Sequence, residues 1–457
     1  MIAFGTNSLI LALFFAALKF SDFQIGLFMT LTLAGDVFLS LGLTLIADRV
    51  GRRKILMGGS VMMIMSGIVF ATFDNFWILL TAAVFGVIST MGGDFGPFRS
   101  IEESILSTLT TAKTRPDVLA WYVTAATLGQ SIGTELCGRM VTYMESKDGW
   151  NLADAYHAIF WVYSFMGFAN LIFMFSLTAK CETAKKQEEI KENESEQAEG
   201  LLGDQDGATE LSDRRTSDEA TSQDSPVKSK NMFSQFLTIA PETRSAVFKL
   251  WFLLVLDSLA DGMVPYALTN YFMDQKFHLA KSTLGDITSA SYFLAFISTL
   301  FAAPLSRRLG LVNTMVFTHL PSSISVVIFP FPTSVVLTVI CLLIRTGLNN
   351  MDQAPRAALI AAIVKSDERT AIMGITSVLR TLAAVAGPTL TGSLAGSNKF
   401  WIAFVLAGSL RIGYDLGLWA MFATMKLNLF EEKQDLVESV DERRMSDEED
   451  VGNRPRG

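Results

Sequence analysis

The stretch from residue 23 to residue 73 reads FQIGLFMTLTLAGDVFLSLGLTLIADRVGRRKILMGGSVMMIMSGIVFATF. It joins two apolar runs, 23–47 and 54–73, through a short basic loop. Each run reaches the length of about 20 residues that a helix needs to cross the hydrocarbon core of a bilayer. Both are apolar nearly all round, whereas helices of a large soluble protein would keep charged outer faces. The stretch predicts two transmembrane helices.

The same kind of run occurs twelve times along the chain. Lipid offers no hydrogen-bond partners to open backbone groups, so each run must be helical. The sequence therefore predicts an all-α membrane protein. The runs are 1–18, 23–47, 54–73, 76–98, 117–141, 155–178, 245–272, 283–305, 311–330, 334–360, 370–396 and 400–424, called spans one to twelve below.

Composition agrees with a membrane protein and argues against an enzyme. Of 457 residues, 50% are hydrophobic and 18% are charged, against about 25% charged in soluble domains. Three His and three scattered Cys give no metal or disulfide framework. The sequence lacks GxxxxGK[ST], HExxH and GxSxG motifs. We expect no catalytic activity, no cofactor and no bound metal.

Two acidic, polar segments interrupt or follow the apolar body. Residues 180–230 contain 14 acidic and 8 basic residues, and residues 425–457 contain 10 and 6. Their composition predicts disorder in the loop 179–243 and in the tail 426–457. Ser217 and Ser446 each follow an Arg pair and precede acidic residues, a pattern that suits kinases. A solvated segment without regulation is the alternative.

Basic residues in the short loops set the expected orientation. With a cytoplasmic N-terminus, ten Lys and Arg fall in inner loops and five in outer loops, which fits the positive-inside rule. The rule then places both termini, the long loop and the tail in the cytoplasm. We expect the lipid bilayer and a small-molecule substrate as partners, and no nucleic acid.

The two halves of the chain echo each other at a nearly constant offset. Four sets of residues match in sequence order: Gly26 with Gly285, Gly51 with Gly310, Asp94 and Pro97 with Asp352 and Pro355, and Gly133 and Gly138 with Gly387 and Gly392. This repeat predicts two pseudo-symmetric six-helix bundles, 1–178 and 244–425, with a substrate site between them. In the same register span one is shorter than span seven. We expect either an N-terminally shortened gene model or a naturally short first helix.

The loop after span two reads Asp48-Arg49-Val50-Gly51-Arg52-Arg53-Lys54. With twelve spans and a long central loop, it resembles the major facilitator superfamily, whose loop signature is G-x-x-x-D-R-x-G-R-R. Thr44 replaces the leading Gly. The resemblance implies a transporter in which Asp48, Arg49, Gly51, Arg52 and Arg53 gate the cytoplasmic side. Glu102 and Glu103 are the candidate partners of the Arg residues; a loop that serves topology alone is the alternative.

Ionisable residues at bilayer depth are costly, about 2.5–3.5 kcal/mol each on insertion scales, and they mark functional sites. Asp94 and Asp352 occupy equivalent places in spans four and ten, each three residues before a Pro, and Arg356 follows Asp352. They are either gates or substrate contacts, or salt bridges that set a resting state. Asp257 and Asp261 share one face of span seven. Two carboxylates so close disfavour ionising together, which suits proton coupling.

The remaining charges within spans are single. We expect Glu135 and Arg380 to pair, or Arg380 to bind an anionic substrate. Arg345 is either a substrate anchor or the partner of Asp352. In span twelve, Arg411 and Asp415 form an i,i+4 pair that we expect to be structural on an outer helix. A weaker proton-site candidate is Asp36 in span two.

These features predict a secondary transporter that moves a small solute by alternating access with proton coupling. Two alternatives stay open. An uncoupled facilitator would keep the fold and use the acids as structural ion pairs. A non-transporting nutrient sensor would use the central loop or the tail as its output.

Overall fold

The computed structural model describes residues 1–86, 88, 98–111, 114–178, 181–182, 241–363 and 369–422. Within these ranges the ordered elements are helices, and no β-strand occurs. The α-helices are α1 Ile2–Ala17, α2 Asp22–Val50, α3 Arg52–Thr72, α4 Phe76–Gly86, α5 Arg99–Leu109, α6 Arg115–Glu145, α7 Leu152–Phe175, α8 Pro241–Met263, α9 Tyr266–Phe277, α10 Lys281–Leu309, α11 Leu311–Ile328, α12 Val335–Asn349, α13 Gln353–Ile363, α14 Arg369–Gly396 and α15 Phe400–Phe422.

The predicted all-α membrane fold is confirmed. Eight helical segments of the described chain are long and apolar enough to cross a membrane, and α1 and α4 are shorter apolar helices. Span four is helical through Gly86, and residues 89–97 lie outside the described part. The structure differs from twelve unbroken rods because spans seven and ten each consist of two helices.

Span seven breaks between α8 and α9, where Val264 and Pro265 leave the helical conformation. Proline lacks a backbone N–H and disfavours helical geometry in the residue before it, so the break follows from Pro265. The carbonyl oxygen of Val264 accepts a hydrogen bond from the guanidinium of Arg345. A side chain of another span thus satisfies a backbone group that the broken helix cannot.

Span ten breaks at a 3₁₀ turn, Asn350–Asp352, between α12 and α13. Pro355 lies in the first turn of α13, where a helix tolerates a missing N–H because that donor has no intrahelical partner. The break changes which side chains of span ten share a face. Residues before and after Asn350 no longer follow one 3.6-residue period.

Contacts divide the chain into two compact units. Unit 1 comprises Met1–Thr238, Pro265–Ala290 and Pro388–Asn398, and unit 2 comprises Ile239–Val264, Ser291–Gly387 and Lys399–Gly457. The division of the chain at residues 178 and 244 stays a prediction.

An aromatic core holds the first helices of unit 1 together. Phe14 and Phe15 on α1 are fully buried and pack against Phe28 of α2, Phe70 of α3 and Phe160 of α7. Ring centroids of these pairs lie 4.3–6.4 Å apart, the range in which aromatic rings attract one another. One short apolar helix therefore joins three neighbours.

The glycines that mark the sequence repeat are points of close helix contact in unit 1. A methyl group added at Gly26 of α2 would lie 2.2 Å from the carbonyl oxygen of Pro388 and 2.9 Å from the Cα of Gly392, both on α14. A methyl group at Gly285 of α10 would likewise lie 3.0 Å from the Cα of Gly138 on α6. These contacts are repeat-related, because Gly26 matches Gly285 and Gly138 matches Gly392. The predicted pseudo-symmetry is confirmed.

The same symmetry relates a contact inside unit 1 to one inside unit 2. A methyl group at Gly5 of α1 would lie 2.2 Å from the carbonyl oxygen of Gln130 on α6. In unit 2, one at Gly262 of α8 would lie 2.1 Å from the carbonyl oxygen of Ala384 on α14. Unit 2 is completed by α11, which packs against α12 and α15. This packing surrounds the polar residues described next.

Candidate functional site

Seven ionisable side chains meet inside unit 2. We call them the charge cluster: Asp257, Asp261, His319, Asp352, Arg356, Arg411 and Asp415. Six of the seven side chains are 10% exposed or less, and that of Asp261 is 30% exposed. They come from α8, α11, α13, α15 and the 3₁₀ turn between α12 and α13. Charges buried at this depth persist only when they are paired.

Asp257 lies at the centre of the charge cluster. Its Oδ2 accepts a hydrogen bond from Nη1 of Arg356 at 3.2 Å. Its Oδ1 lies 3.6 Å from Nε2 of His319 and 3.8 Å from Nε of Arg411. One carboxylate of span seven therefore faces cations or potential cations from spans nine, ten and twelve.

Asp261, one turn after Asp257, shares Arg411 with it. Nη2 of Arg411 donates to Oδ1 of Asp261 at 2.7 Å and also to the side-chain oxygen of Asn349. The expected common face of Asp257 and Asp261 is thus present, and one guanidinium lies between the two carboxylates. Their spacing makes a shared cation the natural partner.

The expected structural pair of Arg411 with Asp415 is wrong. Arg411 turns to Asp257 and Asp261 on α8, whereas Asp415 accepts from Nδ1 of His319 at 2.7 Å. Both residues are 1% exposed or less, so this face of α15 is interior to unit 2. The i,i+4 spacing places two side chains on one face but does not decide which neighbour each one meets.

His319 and Asn349 are site residues that sequence reasoning misses. Three isolated His residues suggest no metal chemistry, yet His319 lies between Asp415 and Asp257. A usable signal is present: a single titratable residue within an apolar span, followed by Ser322 and Ser323. Ser323 donates to Oδ2 of Asp415 at 2.8 Å.

Span ten places its charges differently from the prediction. The cation that pairs with Asp352 is Arg356, at 3.5 Å on the next helical turn. Arg345, predicted to be either a substrate anchor or the partner of Asp352, donates to the Val264 carbonyl. The 3₁₀ turn explains the difference, because it disrupts the helical phase between positions 345 and 352.

Glu135 and Arg380 also have partners other than each other. Glu135 of α6 accepts from Nε of Arg139 at 2.5 Å, and Nη2 of Arg139 donates to Asp286 of α10 at 3.1 Å. The side chains of Arg139 and Asp286 are 64% and 50% exposed, so these charges lie at the surface of unit 1. Arg380, in unit 2, donates to Oγ of Ser258 at 3.1 Å.

The basic loop after span two meets a carboxylate outside the predicted set. Glu182, 4% exposed, accepts from the backbone N–H groups of Arg52 at 2.7 Å and Arg53 at 3.2 Å. These donors begin α3 and have no intrahelical acceptor. Gly51, with a φ of 107°, makes the turn that exposes them. A carboxylate here is stabilised by the partial positive charge of the helix N-terminus.

Glu102 and Glu103 lie close to this loop but pair elsewhere. Glu102 accepts from the hydroxyl of Tyr122, and Glu103 accepts from Nε of Arg99 at 2.7 Å. The guanidinium of Arg52 donates to the hydroxyl of Thr108 at 2.9 Å. The pairing of Glu102 and Glu103 with the loop arginines stays a prediction.

Some predicted residues cannot be compared. The side chains of Asp48 and Arg49 on α2 lie outside the described part, as do Asp94, Ser217 and Ser446. Asp36 is on α2 and is 1% exposed.

A cavity of about 160 Å³ lies inside unit 1. Its lining is mainly apolar and includes Ser60, Glu102, Tyr122 and Asn170. The amide of Asn170 donates to the hydroxyl of Ser60 at 3.0 Å. The cavity therefore offers a few polar groups on an apolar wall.

Comparison with known proteins shows the family to which the chain belongs. A family model described as Major Facilitator Superfamily matches residues 1–238 and 250–435. The uncharacterized membrane protein YJR124C of Saccharomyces cerevisiae (strain ATCC 204508 / S288c) is 32% identical over 425 residues, which cover 92% of this chain and 91% of that protein.

Solved structures with low sequence identity share the fold. The inward-open xylose transporter XylE from E. coli has a TM-score of 0.66 and 13% identity over 94% of this chain and 96% of its own. The nucleoside transporter NupG has a TM-score of 0.62 and 14% identity over 92% of this chain and 97% of its own. The chain is a multi-pass membrane protein that belongs to the major facilitator superfamily of membrane transporters.

Proposed function

We propose that this protein is a secondary transporter that moves a small polar solute by alternating access and couples that movement to protons. The observation that carries the proposal is the charge cluster of unit 2. Charges at bilayer depth are expensive, and in transporters they mark ion and substrate pathways. Polar substrates are also favoured by the solved relatives, whose names specify xylose and nucleosides.

The cluster suits coupling because its pairs join different spans. Asp257 on α8 faces Arg356 on α13 and Arg411 on α15. Adding a proton to a carboxylate in such a network weakens its attraction to each cation. A proton or an anionic group of a substrate can therefore change the interactions between α8 and its neighbours.

Three polar contacts of unit 1 suit the gating that alternating access requires. Glu182 holds the backbone at the start of α3, and this loop carries the family's gating signature. At the ends of other helices, Arg139 pairs with Asp286 and the Tyr271 hydroxyl donates to Asp22 at 2.6 Å. We propose that such contacts form and break in the transport cycle.

We also propose that both chain termini lie in the cytoplasm, as the distribution of basic residues among the short loops predicts.

The test is solute flux in proteoliposomes under an imposed pH gradient. The panel contains sugars, nucleosides, amines, organic anions and peptides. We expect one solute to accumulate and its accumulation to collapse when the gradient is dissipated. The Asp257→Asn variant should lose accumulation, whereas the control Asp74→Asn, at a side chain that is 68% exposed and outside the cluster, should keep it.

Other results would support the alternatives. Equilibration of a solute without accumulation would indicate an uncoupled facilitator. Binding of a solute without flux, in a protein that still signals when Asp257 is neutralised, would indicate a nutrient sensor. Flux that is independent of pH and unchanged in Asp257→Asn would contradict the proposed coupling.

A further inference from the structure

His319 joins two carboxylates, and its two ring nitrogens are held differently. Nδ1 lies 2.7 Å from Oδ1 of Asp415, and the other oxygen of Asp415 accepts from Ser323 at 2.8 Å. Nε2 lies 3.6 Å from Oδ1 of Asp257, beyond hydrogen-bond distance. Among the described residues that oxygen has no hydrogen-bond partner. His319 is therefore hydrogen-bonded to Asp415 and is not hydrogen-bonded to Asp257.

The two contacts of His319 give its ring nitrogens different roles in binding protons. A neutral imidazole donates from one nitrogen and presents a lone pair on the other. The contact with Asp415 fixes a proton on Nδ1, so in the neutral ring the lone pair of Nε2 would face the carboxylate of Asp257. Within the described residues, His319 is also the one group within ion-pair distance of the fully buried Asp415 that can become a cation. With neutral His319, Asp415 keeps its hydrogen bonds from Nδ1–H of the ring and from the Ser323 hydroxyl, and it loses the positive charge beside it.

The other charged or titratable groups near His319 belong to every element packed around it. They are Arg411 and Tyr414 on α15, Asp261 on α8, Arg345 on α12, Asp352 in the 3₁₀ turn, Arg356 on α13, and Arg380 on α14, which donates to Ser258 beside Asp257. The guanidinium of Arg345 is bonded to the Val264 carbonyl, and Arg356 and Arg411 face Asp257. In the described structure the ion pairs of Arg356 and Arg411 go to Asp257, Asp352 and Asp261, so these two cations do not replace the His319 proton.

We propose that His319 carries the coupled proton and exchanges it with Asp257, while Asp415 holds the ring. This rests on the proton-coupled transport proposed above. In the exchange the Nε2–H bond breaks and an O–H bond forms at Oδ1 of Asp257. The imidazolium becomes a neutral ring that still donates from Nδ1 to Asp415, and Asp257 becomes a neutral carboxylic acid. The charge of the pair is conserved.

The exchange has a structural consequence for the neighbouring helices. Neutral Asp257 attracts Arg356 and Arg411 less strongly, so the contacts of α8 with α13 and α15 loosen. Asp261 is the most exposed side chain of the charge cluster, at 30%, and it shares Arg411 with Asp257. The position of one proton would thereby determine how firmly spans seven, ten and twelve hold together.

The first test is ¹⁵N NMR of histidine-labelled full-length protein in lipid nanodiscs, from about pH 5 to pH 8, where histidine charge changes. The chain has three His, so His157→Gln and His278→Gln assign the signals. We expect Nδ1 of His319 to stay protonated while Nε2 gains and loses its proton, and Asp257→Asn to shift that change. A single protonation state of His319 across the range would overturn the proposal.

His157 is the matched control in the same spectra. Its Nδ1 lies 2.8 Å from the carbonyl oxygen of Phe70 and its Nε2 lies 2.9 Å from Asp74, in unit 1. Asp257→Asn should leave the ¹⁵N signals of His157 unchanged. An equal shift at His157 would mean that the substitution disturbs the whole protein, and it would count against a local exchange.

The second test uses the solute identified in proteoliposomes. His319→Gln should lose gradient-driven accumulation, and His319→Lys, which keeps a fixed charge beside Asp415, should lose it as well. His157→Gln should accumulate solute like the unaltered protein. Full accumulation in His319→Lys would show that a fixed cation suffices and would overturn the proposal. Absence of flux in the unaltered protein would refute the proposed function instead, and the NMR experiment would still test the proton site.

Discussion

Replacing Glu182 by Gln should weaken the junction between the central loop and α3. The carboxylate accepts from two backbone N–H groups, at 2.7 and 3.2 Å, and is 4% exposed. Gln keeps one acceptor oxygen but turns an amide donor toward the other N–H. Hydrogen bonds to charged groups contribute about 1.5–3 kcal/mol each, and the charge at a helix N-terminus adds about 0.3–2 kcal/mol.

Loss of one bond and of the charge should therefore cost about 2–4 kcal/mol locally. A change of about 1.4 kcal/mol alters an equilibrium constant tenfold, so the ratio of intact to open junction should fall by at least tenfold. Hydrogen exchange at the amides of Arg52 and Arg53, followed by mass spectrometry of the peptide that contains them, measures this directly. Solute flux under the same conditions reports whether the junction takes part in gating.

The matched control is Glu103→Gln. Glu103 makes an i,i+4 ion pair with Arg99 and its side chain is 38% exposed, so its loss should cost about 0.3–0.5 kcal/mol. We expect exchange at Arg52 and Arg53 to accelerate in Glu182→Gln and to stay unchanged in Glu103→Gln. Equal exchange rates in the two variants would refute the anchoring role. Faster exchange with unchanged flux would confine Glu182 to stability and remove it from gating.

Three further predictions concern packing, the broken helix and topology. Gly26→Leu should prevent the close approach of α2 to α14 and abolish flux. The control Gly58→Ala, where no atom lies within 4 Å of the added methyl group, should leave the free energy of unfolding unchanged or raise it by up to about 1 kcal/mol. Comparable thermal unfolding and flux in the two variants would contradict the close contact. Arg345→Leu should leave the Val264 carbonyl without that donor and lower the free energy of unfolding by about 1–3 kcal/mol, and denaturant unfolding that matches the unaltered protein would count against it. A Cys introduced at Ser217 should react with an impermeant maleimide only from the cytoplasmic side; labelling from the opposite side would reverse the predicted orientation.

The sequence by itself determined the fold class, because the bilayer offers no hydrogen-bond partners to open backbone groups. Long apolar runs must become helices in lipid, so twelve spans followed from composition and length alone. The repeat was also visible, because helices that approach closely need glycine at the contact whatever surrounds them. Gly26 and Gly285 mark two such contacts, and both glycines stand out in the sequence through their constant offset.

The partners of the buried charges were decided by tertiary structure. Sequence spacing shows which residues share a face of one helix. On that ground it paired Arg411 with Asp415, and it gave Asp352 as one of two alternatives for Arg345, the other being a substrate. Two neighbouring helices supply Asp261 to Arg411 and His319 to Asp415 instead. In span ten a 3₁₀ turn changes the helical phase, and Asp352 pairs with Arg356.

The same limit explains why sequence reasoning misses Glu182 and His319. Glu182 lies 130 positions from Arg52, whose N–H it accepts, and His319 lies 96 positions from Asp415. A buried polar group must find a partner, but the packing of the helices selects which one it finds. The sequence therefore determined that ionisable residues lie within the spans, while the arrangement of α8, α11, α13 and α15 decided that they form one connected cluster.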